Sequence, residues 1–188
     1  MVFMDQKIIP AARNMKDFER ILEGPYKHTV FLETHIGQLK TIVKMADKAG
    51  KKMLLHADLI HGMKNDEYAT EYLCQEIKPF GVISTRSSVI LKAKQKGVLA
   101  IQRMFLLDTH ALEKSYALFE KTKPDYIEVL PGAMPHIIKE VYERTNIPIF
   151  AGGLIRSVED VERALEAGAS AITTSNHVLW KHYEKENK

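Results

Sequence analysis

Eight short apolar runs, each followed by a helix-like amphipathic segment, recur from one end of this chain to the other. The runs begin at Lys7, Thr29, Lys52, Phe80, Val98, Asp125, Ile147 and Ser170. They are nearly continuously apolar and rich in β-branched residues, which is typical of parallel strands that are buried on both faces. Strands that alternate with helices form an α/β fold, and eight such units predict a closed (β/α)8 TIM-like barrel in a single compact domain.

An open, doubly wound sheet is the alternative α/β arrangement. Its dinucleotide-binding version carries a Gly-x-Gly-x-x-Gly turn after the first strand, and the sequence has no such turn there. A chain of 188 residues is short for a barrel, so we expect lean loops. We expect one domain over residues 1–188, with the tail at 180–188 frayed because it is mostly charged and polar.

Charge and cysteine content narrow the classes of protein further. The 27 basic and 24 acidic side chains give a net charge of only +3, so overall charge does not single out a nucleic-acid binder. No apolar run approaches the roughly 20 residues of a membrane span, and the amino terminus lacks the pattern of a signal peptide. The single cysteine, Cys74, cannot form an internal disulfide. These features predict a cytoplasmic protein with no membrane partner.

The ends of the last two predicted strands have the composition of an anion site. Gly152 and Gly153 end one strand, and Ser175 and Asn176 follow the next. In a barrel, the loops after strands seven and eight often bind phosphate. The two glycines let the backbone approach an anion, Ser175 can donate its hydroxyl, and Asn176 can begin a short helix with free amides. The alternative is a tight turn and a helix cap without any ligand.

Charged side chains at the ends of other predicted strands should share the same rim. Asp58 can accept hydrogen bonds from a polyol or act as a general base, or it can form a salt bridge to a neighbouring arginine. Glu128 should point into the barrel, where a buried carboxylate needs a partner, and Arg103 is the candidate. Thr85 lies at the same rim, and Arg86 after it either reaches the centre of the rim or starts a helix in solvent. His56 and Asp58 alternate on one side of the same predicted strand, but no third metal ligand stands at a known spacing from them, so we predict no metal site.

Lysines cluster where predicted helices lead back into strands, at the rim opposite the anion site. They are Lys48, Lys51, Lys52, Lys92, Lys94, Lys96, Lys121 and Lys123. Lysine is favoured at helix carboxyl termini by the helix dipole, which is a sufficient cause for the clusters. The alternative is a positive face for a nucleic-acid backbone.

Five strings taken together resemble the glycerol uptake operon antiterminator family. They are "HADLIHGMKNDE", "GVISTRSSVILKAKQKGVLAIQRMFLLDTHAL", "PDYIEVLPGAMPHII", "PIFAGGLI" and "SAITTSNHVLW", and the resemblance covers about residues 8–180. It implies a glycerol 3-phosphate-responsive regulator that binds the leader mRNA of a glycerol-metabolism operon, with no enzymatic activity and no cofactor. The residues in matching strings are Asp58, Thr85, Arg86, Arg103, Glu128, Gly132, Gly152, Gly153 and Ser175. The resemblance also makes the eight clustered lysines candidates for RNA binding.

Two other interpretations stay open. One is a TIM-barrel enzyme that acts on a small phosphorylated metabolite as an isomerase, lyase or phosphodiesterase, with Asp58 and Glu128 as acid and base. No lysine stands at the inner end of a predicted strand, which argues against a Schiff-base aldolase. The other is a degenerate barrel that only assembles with partners. The sequence leaves the oligomeric state open, a homo-oligomer included.

Overall fold

A computed structural model of the chain describes residues 6–185. Eight parallel strands close into a barrel in the order β1-β8-β7-β6-β5-β4-β3-β2, so the predicted (β/α)8 architecture is confirmed. The strands are β1 (Ile8–Ala12), β2 (His28–Phe31), β3 (Lys52–His56), β4 (Gly81–Ser84), β5 (Leu99–Phe105), β6 (Tyr126–Leu130), β7 (Ile149–Gly152) and β8 (Ala169–Thr174). Closure leaves no free edge, which excludes the open-sheet alternative.

Eight α-helices follow the strands and cover the outside of the barrel. They are α1 (Met15–Glu23), α2 (Leu39–Lys48), α3 (Glu67–Tyr72), α4 (Ser87–Gln95), α5 (Thr109–Thr122), α6 (Pro135–Thr145), α7 (Val158–Glu166) and α8 (His177–Tyr183). A π-helical turn, Leu73–Ile77, continues α3. Side-chain caps fix several helix starts: Asn14 accepts from the amide of Asp17, and Ser157 and Asp160 form a reciprocal capping box. No helix within residues 6–185 is long and apolar enough to cross a membrane.

Alternation along the strands divides the core into two parts. One face of each strand packs against the helices, and the other contributes to a plug inside the barrel. The plug includes Ile9, Val30, Leu54, Ile83, Ile101, Tyr126, Phe150 and Ala171. The rings of Tyr126 and Phe150 stack with centroids 4.6 Å apart. The barrel is therefore filled at mid-height, and its two ends are separate surfaces.

The expectation of a frayed tail at 180–188 is wrong for its first residues. Helix α8 continues to Tyr183, and both Trp180 and Tyr183 are buried. The indole nitrogen of Trp180 donates to the carbonyl of Thr174 at 2.7 Å, and the hydroxyl of Tyr183 donates to Glu162 at 2.7 Å. Two large aromatic side chains thus anchor a segment that is otherwise polar. Residues 186–188 lie outside the described part of the chain.

Candidate functional site

A cavity of ≈ 450 Å³ opens at the carboxyl-terminal mouth of the barrel. Five of the nine residues predicted to bind the ligand line it: Arg103, Glu128, Gly153, Ser175 and Asn176. The cavity therefore lies at the rim where barrels of this class carry their sites. Its volume is within the range of small-molecule pockets.

The two predicted anion loops are neighbours in space. Gly152 of β7 is in register with Thr173 of β8, so the loops that follow these strands leave the barrel side by side. A Cβ at position 152 would come closer than 3.0 Å to the hydroxyl of Thr173, and Gly153 has a φ of +72°. Both positions therefore require glycine, one for space and one for backbone conformation.

Backbone donors in these loops remain available to a ligand. Within residues 6–185, the amides of Gly153 and Ser175 have no hydrogen-bond acceptor. An amide pair of this kind, beside a cavity that arginines also line, can bind an anion. The predicted contribution of the helix start is smaller than expected: the amide of Asn176 donates to the hydroxyl of Thr174 at 3.1 Å, and the amide of Val178 donates to Asn176 Oδ1 at 3.0 Å. Asn176 thus acts as the cap of α8.

An ion pair lies at the floor of the cavity. Arg103 Nε donates to Glu128 Oε2 at 2.6 Å, as the sequence predicted, and the hydroxyl of Thr173 donates to Glu128 Oε1 at 2.7 Å. The Glu128 side chain is only 1% exposed and that of Arg103 is 9% exposed. Both carboxylate oxygens are therefore occupied. The two Nη atoms of Arg103 have no acceptor in the described part of the chain, which leaves them free to meet a ligand.

Asp58 has a structural role in this arrangement. Its carboxylate accepts from the hydroxyl of Ser84 at 2.5 Å, from the amide of Thr85 at 2.7 Å and from the hydroxyl of Thr85 at 2.8 Å. These bonds tie the end of β3 to the end of β4. Asp58, Thr85, Arg86 and Gly152 do not line the cavity, and Arg86 is exposed at the start of α4. Contact between these four residues and a ligand stays a prediction.

Three residues near the mouth were not predicted as ligand contacts. Arg13, directly after β1, and Arg156, in the loop after β7, line the cavity and are exposed. His56 lies two residues after Leu54 on β3 and so points into the barrel. Burial, and secondarily the charge of Arg103, lowers the pKa of His56 to about 4, so its ring is neutral at pH 7. The signal for both arginines was their place in a segment that follows a strand, directly after β1 for Arg13 and within the loop after β7 for Arg156.

The lysines of the opposite rim divide into two groups. Four of the eight predicted RNA-binding lysines are tied within the protein. Lys51 donates to the carbonyl of Gly24, Lys94 contacts Asp125, and Lys92 and Lys96 both contact Glu71. Lys48, Lys121 and Lys123 are exposed, and the ammonium of Lys52 lies 4.6 Å from the ring centroid of Phe80. No group of His, Cys, Asp and Glu suited to a metal ion occurs among residues 6–185.

Comparison with known proteins gives a consistent result over nearly the whole chain. A family model described as "Glycerol-3-phosphate responsive antiterminator" matches residues 8–180. The crystal structure of a glycerol uptake operon antiterminator regulatory protein from Listeria monocytogenes is 51% identical, with a TM-score of 0.95 over 96% of this chain and 98% of that one. A related protein from Thermotoga maritima is 28% identical, with a TM-score of 0.84 over 95% and 99% of the two chains. The uncharacterized YgcP protein of Escherichia coli K12 is 32% identical over 92% of this chain and 91% of its own.

Proposed function

The chain belongs to the glycerol-3-phosphate responsive antiterminator family, and from this membership we propose that it senses glycerol 3-phosphate at the barrel mouth and then binds the leader mRNA of a glycerol operon. Bound protein prevents a terminator hairpin from forming or acting. Glycerol 3-phosphate is the effector in this proposal, no cofactor takes part, and the protein works in the cytoplasm, where the transcript is made.

The observation that carries the effector site is the pair of unoccupied amides beside the arginine-lined cavity. Phosphate oxygens can accept from the amides of Gly153 and Ser175 and from the two Nη atoms of Arg103. Arg13 and Arg156 add positive charge at the same mouth. One buried carboxylate, Glu128, offsets part of this charge, and the excess suits a dianion.

The glycerol end of the effector would lie toward the centre of the mouth, where the wall is mixed. Leu32 and Leu59 supply apolar contacts, and the hydroxyl groups of Thr173 and Ser175 supply polar ones. A site that hydrogen-bonds the hydroxyl groups of a ligand discriminates against analogues that lack them. We therefore expect glycerol 3-phosphate to bind more tightly than inorganic phosphate or glycerol.

Coupling to RNA requires that the effector binds one state of the protein more tightly than another. The loops after β7 and β8 belong to the mouth, and exposed side chains lie in and beside them, such as Leu154 after β7 and Val178 in the first turn of α8. An effector that joins these loops would reduce their freedom and favour the RNA-binding state. The proposal therefore predicts that effector and RNA strengthen each other's binding.

The enzyme alternative loses the pair of carboxylates on which it depended. The oxygens of Asp58 are bonded to Ser84 and Thr85, and those of Glu128 to Arg103 and Thr173. Neither carboxylate is free to act as an acid or base in this arrangement. The regulatory function is therefore better supported than catalysis on a phosphorylated metabolite.

The first experiment compares thermal unfolding with glycerol 3-phosphate, glycerol and inorganic phosphate. A ligand at 100 times its Kd stabilises the native state by about 2.7 kcal/mol, so we expect the largest rise in Tm with glycerol 3-phosphate. Ser175→Ala and Arg156→Gln should reduce this rise, whereas Lys139→Gln, an exposed change on α6, should not.

The second experiment is an electrophoretic shift with the protein's own operon leader RNA, with and without glycerol 3-phosphate. Binding should increase with the effector and weaken steeply as salt rises. Absence of any shift at low salt in both conditions would contradict the proposed function.

A further inference from the structure

A cleft of ≈ 690 Å³ lies at the amino-terminal end of the barrel, opposite the mouth. The loops that lead into β3, β4, β5 and β6 form it. Its charged lining residues are Lys51, Lys52, Lys78, Lys94, Asp47 and Asp125. Four cations against two carboxylates leave an excess of positive charge. None of the four lysines is buried: Lys78 is exposed and the other three are partly exposed.

One carboxylate and two of the lysines that line the cleft are bonded within the protein. Asp125 accepts from the amide of Ala100 at 2.8 Å and from Lys94 Nζ at 3.2 Å. Lys94 also donates to the carbonyl of Lys123, and Lys51 donates to the carbonyl of Gly24 at 2.5 Å. Lys51, Lys94 and Asp125 are thus internal braces that hold the loops in place. The charges that remain for a partner belong to Lys78, which lines the cleft, and to Lys123, which is exposed beside it and whose carbonyl accepts from Lys94.

Lys78 and Lys123 occupy unusual backbone positions. Each follows a helix in the left-handed region, with φ of 58° and 43°. The same region is occupied by glycine at three other helix-to-strand connections, Gly50, Gly97 and Gly168, and by Asn146 at a fourth. A residue other than Gly, Asn or Asp is destabilised there, because its Cβ approaches the following carbonyl oxygen. A costly residue at a position where glycine or asparagine would be more stable indicates a role outside folding.

We propose that this lysine-lined cleft is the surface that meets the sugar–phosphate backbone of the leader RNA, and that Lys78 and Lys123 supply phosphate contacts. The inference rests on the proposed RNA-binding function and names its surface. Flexible lysines that project from separate loops match a chain of phosphates, because such contacts gain free energy from counterion release. The ring of Phe80 is covered by Lys52 at 4.6 Å and packs near His28 at 5.5 Å, which favours contact with the backbone over base stacking.

The decisive variant is the double substitution Lys78→Asn and Lys123→Asn. Asparagine tolerates the left-handed conformation, as Asn146 does in the same protein, so the fold should be retained. We expect at least a tenfold loss of affinity for the leader RNA. The slope of log affinity against log salt should fall by about 1.4 to 1.8, the value for two lost phosphate contacts.

A matched control removes the same charge elsewhere. Lys64 is exposed in the loop between β3 and α3, on the mouth side, and Lys139 is exposed on α6. Lys64→Asn with Lys139→Asn should leave RNA affinity within about twofold of wild type, since neither lysine lies at the cleft. The charge-retaining pair Lys78→Arg and Lys123→Arg should keep binding.

Three results are informative. RNA binding by the Asn pair that equals wild type overturns the cleft and leaves the proposed function standing. Loss of binding in the Asn pair, with an unchanged rise in Tm from glycerol 3-phosphate, supports the cleft because fold and mouth are then intact. Wild-type protein that binds no leader RNA overturns both proposals. If the Asn pair is unstable, Lys78→Gly with Lys123→Gly takes its place, because glycine is strain-free at both positions.

Discussion

The mouth and the cleft are both positively charged, but their charges are built differently. At the mouth, Arg103 and Glu128 are almost fully buried and joined at 2.6 Å. Lys78, which lines the cleft, and Lys123, beside the cleft, are exposed on loops. A buried, fixed charge selects a small ligand of defined shape, because the site is organised before binding. Exposed, mobile charges accept a long polyanion whose phosphates vary in position.

The difference follows from which part of the chain supplies the charge. Arg103 and Glu128 lie on neighbouring strands in direct register, so the ladder of the sheet holds their backbones. The cleft lysines stand in or beside helix-to-strand loops, which are held by only a few bonds from braces such as Lys94. Strand-borne charges therefore contribute to folding as well as binding, whereas loop-borne charges contribute mainly to binding.

The largest expected effect comes from breaking the pair at the mouth. Glu128→Gln leaves the buried guanidinium of Arg103 without its counter-charge and should reduce the free energy of unfolding by about 3–5 kcal/mol. Lys94→Met removes a partly exposed brace at the cleft and should cost only about 1 kcal/mol. Urea denaturation of both variants tests the contrast. Equal losses would show that the two regions do not differ in this way.

Filling the space beside the Arg103–Glu128 pair should reduce the free energy of unfolding by a smaller amount. The added Cβ of Gly152→Ala would be closer than 3.0 Å to the Thr173 hydroxyl and 3.3 Å from Glu128 Oε1, so the floor of the cavity must shift. We expect a loss of about 1–3 kcal/mol in urea denaturation. The rise in Tm with glycerol 3-phosphate should shrink, while Gly97→Ala, with open space around it, should leave that rise unchanged. An unaltered effector response in Gly152→Ala would contradict this account of the floor.

Acid should lower the free energy of unfolding, because buried histidines are neutral in the native state. The pKa of His56 is lowered to about 4 by burial and by Arg103, against the opposing charges of Glu128 and Asp58. Because the native state favours the neutral ring, its contribution is complete above pH 6.5 and is lost as the pH falls toward 4. At pH 5 this loss is about 2 kcal/mol.

Urea denaturation at pH 7 and pH 5 measures that loss. His56→Leu, which keeps an apolar environment filled, should be less sensitive to the same change in pH. The pKa of His28 is also lowered to about 4, by burial, Lys52 and Lys27, so part of the sensitivity should remain. Identical pH dependence in wild type and His56→Leu would show that His56 is not buried in its neutral form.

The smallest expected effect has the opposite sign. Lys78→Asn alone relieves a strained left-handed residue and should raise the free energy of unfolding by about 0.5 kcal/mol, while it weakens RNA binding. Paired urea and gel-shift measurements test whether stability and binding change in opposite directions. A destabilised variant would indicate that Lys78 is held by contacts that favour folding.

The sequence was sufficient for the barrel and for the Arg103–Glu128 pair, since both follow from strand alternation. It was insufficient for Asp58, because the donors that reach a strand-end carboxylate depend on the register between β3 and β4. A small parallel pair, Thr34–His35 with Ile60–His61, was also missed, because two-residue strands have no periodicity to detect. The tail was misjudged because overall polarity outweighed two aromatic anchors, Trp180 and Tyr183.

Strand β6 connects the mouth and the cleft over a very short length of chain. Glu128 is held at the mouth end, and Asp125, just before the strand, braces the cleft through Lys94 and Ala100. Three residues of extended chain span only about 10 Å. Because a close-packed interior is stiff, any displacement of Glu128 along the strand axis must also move Asp125. Under the proposed function, the effector site and the RNA surface are therefore joined by one stiff segment, and coupling between them needs neither a hinge motion nor a change of subunit arrangement.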